Sequence, residues 1–281
     1  MTIQRPLIAI GALAAALALA PACARAETEK PVVLAPHRAV YDLALAQSRG
    51  KQSVEAVHGR ILYDFSGSPC EGYTLQFRQV TQLDSEEGKS VVSDLRTTNW
   101  EDDEGKTFRF GSRNFLDNEP TDSAEGHAER HGEDATVTLT KPAPKTFEAK
   151  NVVFPSDQMR RIIKAARAGK ALLELGVYDG SDNGEKVYST LTVIGQPIKP
   201  GENPPADAAA GQKALEGLTR WPVTVSYFDR AKTGADQTPL YSIAFDVYEN
   251  GISRALKLDY GDFVLTGDLT SLEIKDSKPC P

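Results

Sequence analysis

One stretch of this chain reads as a helix, and nearly everything on either side of it reads as β-strand. The helix signal runs from Val152 to Lys170, VVFPSDQMRRIIKAARAGK. Ser156 is the expected N-cap, with Asp157 in the first turn. Met159, Ile162, Ile163 and Ala166 recur at the spacing of one helical face. Gly169 is the expected stop, because glycine takes the left-handed conformation that ends a helix. A helix this short is marginal alone and must bury its apolar face against something. The only partner on offer is β-sheet, so the pattern predicts one curved sheet wrapped around, or capped by, one helix.

The N-terminus stands apart. Arg5 is followed by an uninterrupted apolar run from Leu7 to Ala20, too short to favour a membrane span. Ala24-Arg25-Ala26 then offers a small-residue cleavage site. The reading is a secretory signal peptide over residues 1–26, removed to leave a mature chain from Glu27. The competing reading makes Cys23 the lipidated residue of a lipoprotein signal, against a poor lipobox in Ala20-Pro21-Ala22. No other stretch approaches spanning length. The expected location is the periplasm.

Export changes what charge and cysteine content mean. The chain has 32 Lys and Arg against 39 Asp and Glu, and cleavage removes Arg5 and Arg25 from the basic side. An acidic exported protein is a poor candidate for nucleic-acid binding, which needs broad phosphate neutralisation. The mature cysteines are Cys70 and Cys280 alone. An even count in an oxidising compartment reads as a disulfide, and two cysteines permit one pairing. The alternative is two unpaired thiols. The bond would close nearly the whole chain, which argues for a single domain over residues 27–281.

Strand-like runs separated by turn signals fill the rest. They fall at Ala39 to Ala46, Val54 to Phe65, Tyr73 to Val80, Ser90 to Trp100 and Lys106 to Phe115. Weaker runs follow at Glu125 to Arg130, Ala135 to Lys141 and Thr146 to Lys150. Beyond the helix come Leu172 to Tyr178, Lys186 to Ile194, Pro222 to Phe228, Tyr241 to Tyr248, Ser253 to Asp259 and Phe263 to Ile274. Gln196 to Gly211 is rich in Pro, Ala and Gly and reads as a surface loop. Lys213 to Leu218 adds a helical turn. Short connections favour antiparallel meander pairing, and a sheet of about fourteen strands must curl or close. The expected fold is mainly β: one large antiparallel curved sheet, a spiral or open barrel, with one short helix capping its interior.

Several segments, in order, resemble one family, the EipB-like cell envelope integrity proteins. They are LAPHRAVYDL near the mature N-terminus, CEGYTLQF around Cys70, RTTNWEDDEGKTFRF from Arg96, FPSDQM at the helix start, WPVTVSYFD from Trp221 and YENGISRALKLDYGDFVLTGDL from Tyr248. The resemblance covers essentially the whole mature chain. It implies a spiral of β-strands around a bowl-shaped cavity, a Cys70–Cys280 disulfide, and a periplasmic role in envelope integrity without established catalysis.

Motifs for chemistry are few. His127 and His131 in EGHAERHGE could share one face as zinc ligands, but glycines flank them and no third ligand is evident. Asp179-Gly-Ser-Asp-Asn-Gly-Glu185 resembles the start of a calcium loop, yet Thr190 stands where a bidentate Glu is needed. A hairpin turn is the expected reading there. No nucleophile elbow, phosphate loop, metalloprotease or cofactor motif is present. The helix also carries a basic face, with Arg160, Arg161, Lys164, Arg167 and Lys170. These cations either face solvent or, for Arg160, Arg161 and Lys164, line the bowl and contact an anionic ligand. The favoured function is a non-catalytic envelope protein that holds a lipid-like ligand or a partner protein in its cavity. The alternative is an envelope hydrolase whose site is assembled only in space.

Overall fold

In the computed structural model the described residues are 30–49, 54–209, 211–232, 237–277 and Cys280. The expected signal segment and cleavage site, with Cys23, lie outside them. The described chain contains fourteen strands in a single antiparallel sheet and one α-helix. The strands are β1 (His37–Ser48), β2 (Val54–Ser68), β3 (Gly72–Ser85), β4 (Ser90–Glu101), β5 (Thr107–Leu116), β6 (Glu119–His131), β7 (Asp134–Lys141) and β8 (Lys145–Ala149). The helix α1 (Pro155–Arg167) follows. Then come β9 (Leu172–Val177), β10 (Tyr188–Ile194), β11 (Arg220–Asp229), β12 (Tyr241–Tyr248), β13 (Ser253–Asp259) and β14 (Phe263–Ile274). A 3-10 turn at Lys213–Leu215 occupies part of the expected helical turn.

The sheet order is β8-β7-β6-β5-β4-β3-β2-β1-β14-β13-β12-β11-β10-β9. The first and last strands therefore pair in the middle, and β8 and β9 are the two edges. The helix is the connection between those edges. The sheet curves without closing: across the gap the segment after β8 makes one bridge, Val153 with Val177. Val153 N–H donates to Gly176 O at 2.9 Å, and Tyr178 N–H to Val153 O at 3.1 Å. Residues 32–281 form one compact unit.

Alternation along each strand separates an inner from an outer face. On β4 the inner residues are Leu95, Thr97, Asn99 and Glu101; on β3 they are Tyr73, Leu75 and Phe77. The helix lies against the inner face. Ile162, Ile163, Ala165 and Ala166 are buried with Phe65, Tyr73, Trp221, Val223, Val225 and Val247. A second buried group gathers Phe108, Phe110, Phe154 and Tyr178.

Three local expectations change. The helix begins at Pro155 with Phe154 as N-cap residue, not at Ser156. Proline at the first helical position presets φ and forfeits only an N–H that has no helical partner. The next two N–H groups, of Ser156 and Asp157, are taken up by Glu101 of β4 at 2.7 and 2.9 Å. A strand carboxylate thus caps the helix in place of a local serine. The stop is as read: Gly169 has φ +70° and its N–H donates to Ala166 O.

The second change is at β6, which starts at Glu119, six residues before the apolar signal. Asp117 and Asn118 both have positive φ, 50° and 68°, and make the two-residue hairpin that pairs β5 with β6. The third is the Pro/Ala-rich segment. Asp207 accepts from Arg254 at 2.6 Å, with both side chains almost fully buried. Arg220 donates to Asn203 O and to Asp246. Ala209 and Leu215 are buried with Tyr41, Leu43, Ile252 and Leu269. The segment is mostly exposed, as read, but it is anchored: Asp207, Ala209 and the Leu215 turn that follows plug the inner face near β1, β13 and β14.

Candidate lumen binding site

Where neither the helix nor the plug fills the curve of the sheet, a lumen of about 640 Å³ remains. Its lining comes from both arms of the sheet, from the start of α1 and from the β9–β10 loop. One wall is aromatic and apolar: Tyr63, Phe65, Tyr73, Leu75, Phe77 and Phe108. These rings stack in sequence, Tyr63 on Phe65 at 6.1 Å and Phe65 on Tyr73 at 5.0 Å. His37 joins them at 5.3 Å from Tyr63. Its Nδ1–H donates to Ala35 O at 2.7 Å, and burial pushes its pKa below the ordinary value. It is thereby a packed aromatic body.

The opposite corner is polar. Tyr188, Tyr227 and Tyr241 pack on one another at centroid separations of 4.6–6.0 Å. The Ser181 and Tyr188 hydroxyls are 2.9 Å apart. Asp179 accepts from Ser181 N–H at 3.0 Å, and burial raises its pKa. The loop after β9, read from sequence as a hairpin turn, therefore forms part of the lumen wall. A Cβ on Gly180 would come within 2.4 Å of the Phe110 ring, and one on Gly184 within 2.8 Å of Leu139. Only glycine lets this loop seat on β5 and β7. Tyr178 ties it down, donating to Gly184 O at 2.7 Å.

Glu101 lies where lumen, helix and β4 meet. Its carboxyl is pushed up to about 7 by burial, opposed by the Ser156 amide, Arg160 and the Asp157 amide. It acts as the helix cap. Nearby, Asn99 is 9% exposed and Gln158 7%. Asn99 Oδ1, Asn114 Oδ1 and Gln158 Nε2 have no hydrogen-bond partner. All three residues line the lumen. A buried polar atom left unpaired is costly, so orphans on the lumen lining point to a guest that satisfies them.

The helix contributes Pro155, Ser156, Gln158 and Met159 to this lining. The cations expected as anion contacts sit elsewhere. Arg160 is 3.7 Å from Glu101, 3.4 Å from Asp103 and 4.0 Å from Asp157. Arg161 pairs with Asp157 at 3.1 Å, and Lys164 is exposed. The carboxylates of β4 and the helix start draw this face away from the lumen. His127 lines an outer groove beside Arg109 and Arg113, and His131 is exposed at the end of β6. Among the described residues, no three His, Cys, Asp or Glu side chains are grouped to hold a metal ion. Cys70 lies in the β2–β3 turn. Its Cα is 5.6 Å from that of Cys280, a separation compatible with a disulfide. Among the described residues no helix is long and apolar enough to cross a membrane.

The sequence alone did not expose Asn99, Gln158 or Asp179 as site residues. The usable signals were an Asn two residues before Glu101 on one strand face, and a Gln interrupting the apolar stripe of the helix.

Comparisons with known proteins agree with this architecture. The profile of the EipB-like family matches residues 28–276. The chain is 38% identical over 252 residues to the cell envelope integrity protein EipB of Brucella abortus (strain 2308), covering 90% of this chain and 88% of that one. It also superimposes on the crystal structure of a beta-barrel-like protein of a domain of unknown function from Brucella abortus. That match has a TM-score of 0.80 and 37% identity, over 87% of this chain and all of the other.

Proposed function

This chain belongs to the EipB-like family, and from that membership we propose that it is an exported, non-catalytic protein that supports cell envelope integrity by holding a lipid-like ligand in its lumen. The observation that carries the reading is the lumen itself. Its volume lies within the range of ligand pockets, and it pairs one continuous aromatic wall with a few convergent polar groups. That is the surface an amphiphile needs: apolar area to bury, and fixed hydrogen-bond partners at one end. The buried acid beside the helix supports a non-catalytic role, since Glu101 is committed to two backbone amides. On this reading the mature chain runs from Glu27 as one domain in the periplasm, with its C-terminus tied by a Cys70–Cys280 disulfide.

A dye-uptake measurement tests the container. N-phenylnaphthylamine should brighten saturably on mixing with the purified protein. Thr97→Trp, which fills the lumen from β4, should abolish that signal at an unchanged melting temperature. Absence of saturable uptake by the folded wild-type protein would contradict the container, and turnover of peptidoglycan or ester substrates would replace it with the hydrolase. N-terminal sequencing of the exported protein should find Glu27 first; an acylated Cys23 would contradict the processing.

A further inference from the structure

The charge and hydrogen-bond pattern of the lumen selects among amphiphiles. Among the described residues no Lys or Arg lines the lumen, whose lining includes Glu101, Asp122, Asp179 and Asp182. Two of these acids are offset from behind: Arg160 approaches Glu101, and Lys186 pairs with Asp182 at 2.5 Å. Asp122 lies exposed at the margin. Asp179 is the inner one, and among the described residues it has no salt bridge. An anionic headgroup brought here would meet a carboxylate and no cation, in a site of low dielectric where like charges repel strongly. The three tyrosine rings pack on one another, 4.6–6.0 Å between centroids, so they do not splay into a cage around an ammonium group, and the hydrogen-bonding groups decide between a cation and a neutral headgroup.

The orphaned atoms ask for both hydrogen-bonding roles at once. Asn99 Oδ1 and Asn114 Oδ1 are acceptors in need of a donor; Gln158 Nε2 is a donor in need of an acceptor. An ammonium only donates and a carboxylate only accepts. A hydroxyl does both.

We infer that the lumen takes an amphiphile with a neutral, hydroxyl-bearing headgroup of the glycoside class, seated against Asn99, Gln158 and the Asp179–Asp182 loop, its apolar chain running along the aromatic wall. The inference rests on the reading of the lumen as a container. It fixes the class of ligand: a glycosylated lipid in place of a fatty acid or an acidic phospholipid.

Three amphiphiles with the same alkyl chain separate the possibilities on the wild-type protein: octyl glucoside, octanoate and octyltrimethylammonium, each below its micelle concentration and each displacing N-phenylnaphthylamine. The glucoside should bind about tenfold or more tightly than either ion, the discrimination expected when buried polar groups find or lose their partners. Asn99→Leu and Gln158→Leu should each weaken the glucoside severalfold more than they weaken the dye. Octanoate or octyltrimethylammonium binding as tightly as the glucoside overturns the glycoside assignment while the container stands. Failure of all three to displace a dye that Thr97→Trp excludes also overturns it. Dye uptake that Thr97→Trp does not reduce removes the container and this inference together.

Discussion

The sheet is joined to itself at two places, and they are built differently. In its middle, β1 and β14 form a regular antiparallel ladder from His37↔Ile274 to Ser48↔Phe263, broken by two bulges. The first and last strands of the chain hold each other, and the Cys70–Cys280 pair lies just beyond that ladder. At its edges, β8 and β9 share no ladder. They are joined by a single bridge, by the helix that connects them, and by side chains. Arg230 donates to the carbonyls of Lys150 and Asn151, beside Gly176. The contrast teaches where this fold keeps its function. A ladder satisfies every backbone group and leaves no room. The irregular seam brings a helix terminus and a folded-in loop to the inner face, and both contribute to the lining of the lumen.

The regular seam should show the largest effect when it is broken. Cys70→Ser or Cys280→Ser should lower stability by roughly 2–5 kcal/mol, because the bond restricts the unfolded chain and pins a terminal strand. The single and double variants should melt alike. Free-thiol labelling of unfolded, unreduced protein checks the premise, and two reactive thiols per mature chain would remove it.

At the irregular seam the helix cap comes next. Glu101→Ala strips partners from the Ser156 and Asp157 amides and removes a carboxylate beside Arg160. A loss of about 2–4 kcal/mol is expected from chemical denaturation. This residue also gives the seam a pH signature. The folded protein holds the Glu101 proton more tightly than the unfolded chain, with a pKa of about 7 against 4.5. Its contribution to stability is therefore fully present below pH 4.5 and is lost as pH rises through about 7. Glu101→Gln should flatten that slope, and an unchanged slope would place the titration elsewhere.

Smaller effects sharpen the contrast. Gly176→Ala puts a Cβ within 2.1 Å of Asn151 O and 2.2 Å of Arg230, so the edges must part. A loss of about 1–3 kcal/mol is expected in urea melts, with weakened dye uptake because β9 carries the loop that lines the lumen. Arg161→Ala should cost no more than about 0.5 kcal/mol, since that half-exposed pair with Asp157 is a surface contact. An Arg160→Glu, Arg161→Glu double variant sets like charges against Glu101, Asp103 and Asp157. It should act through the helix anchor, lowering stability before ligand binding.

What the sequence made legible follows the same division. Strand alternation is a local signal, and the runs of β1–β5 and β7–β14 stand in the chain as they do in the sheet. The pairing of β1 with β14 is not local, and nothing in either strand names the other. The helix was visible from Ile162, Ile163 and Gly169; its cap was not, because Glu101 arrives from a strand more than fifty residues away. The basic face looked available for an anion because Glu101 and Asp103, which hold Arg160, come from a strand and turn more than fifty residues away. Asp179 to Gly184 read as a turn, which it is. That its glycines exist to seat it on Phe110 and Leu139 is apparent only once β5 and β7 are opposite it.

The central claim is that the lumen holds an amphiphile. Mass spectrometry of the organic extract from natively purified, exported protein tests it most directly, with Thr97→Trp purified in parallel. The account predicts a neutral glycolipid in near-stoichiometric amount from the wild type and none from the variant. Equal extracts from the two, or an empty wild-type lumen that also excludes added amphiphile, would contradict it.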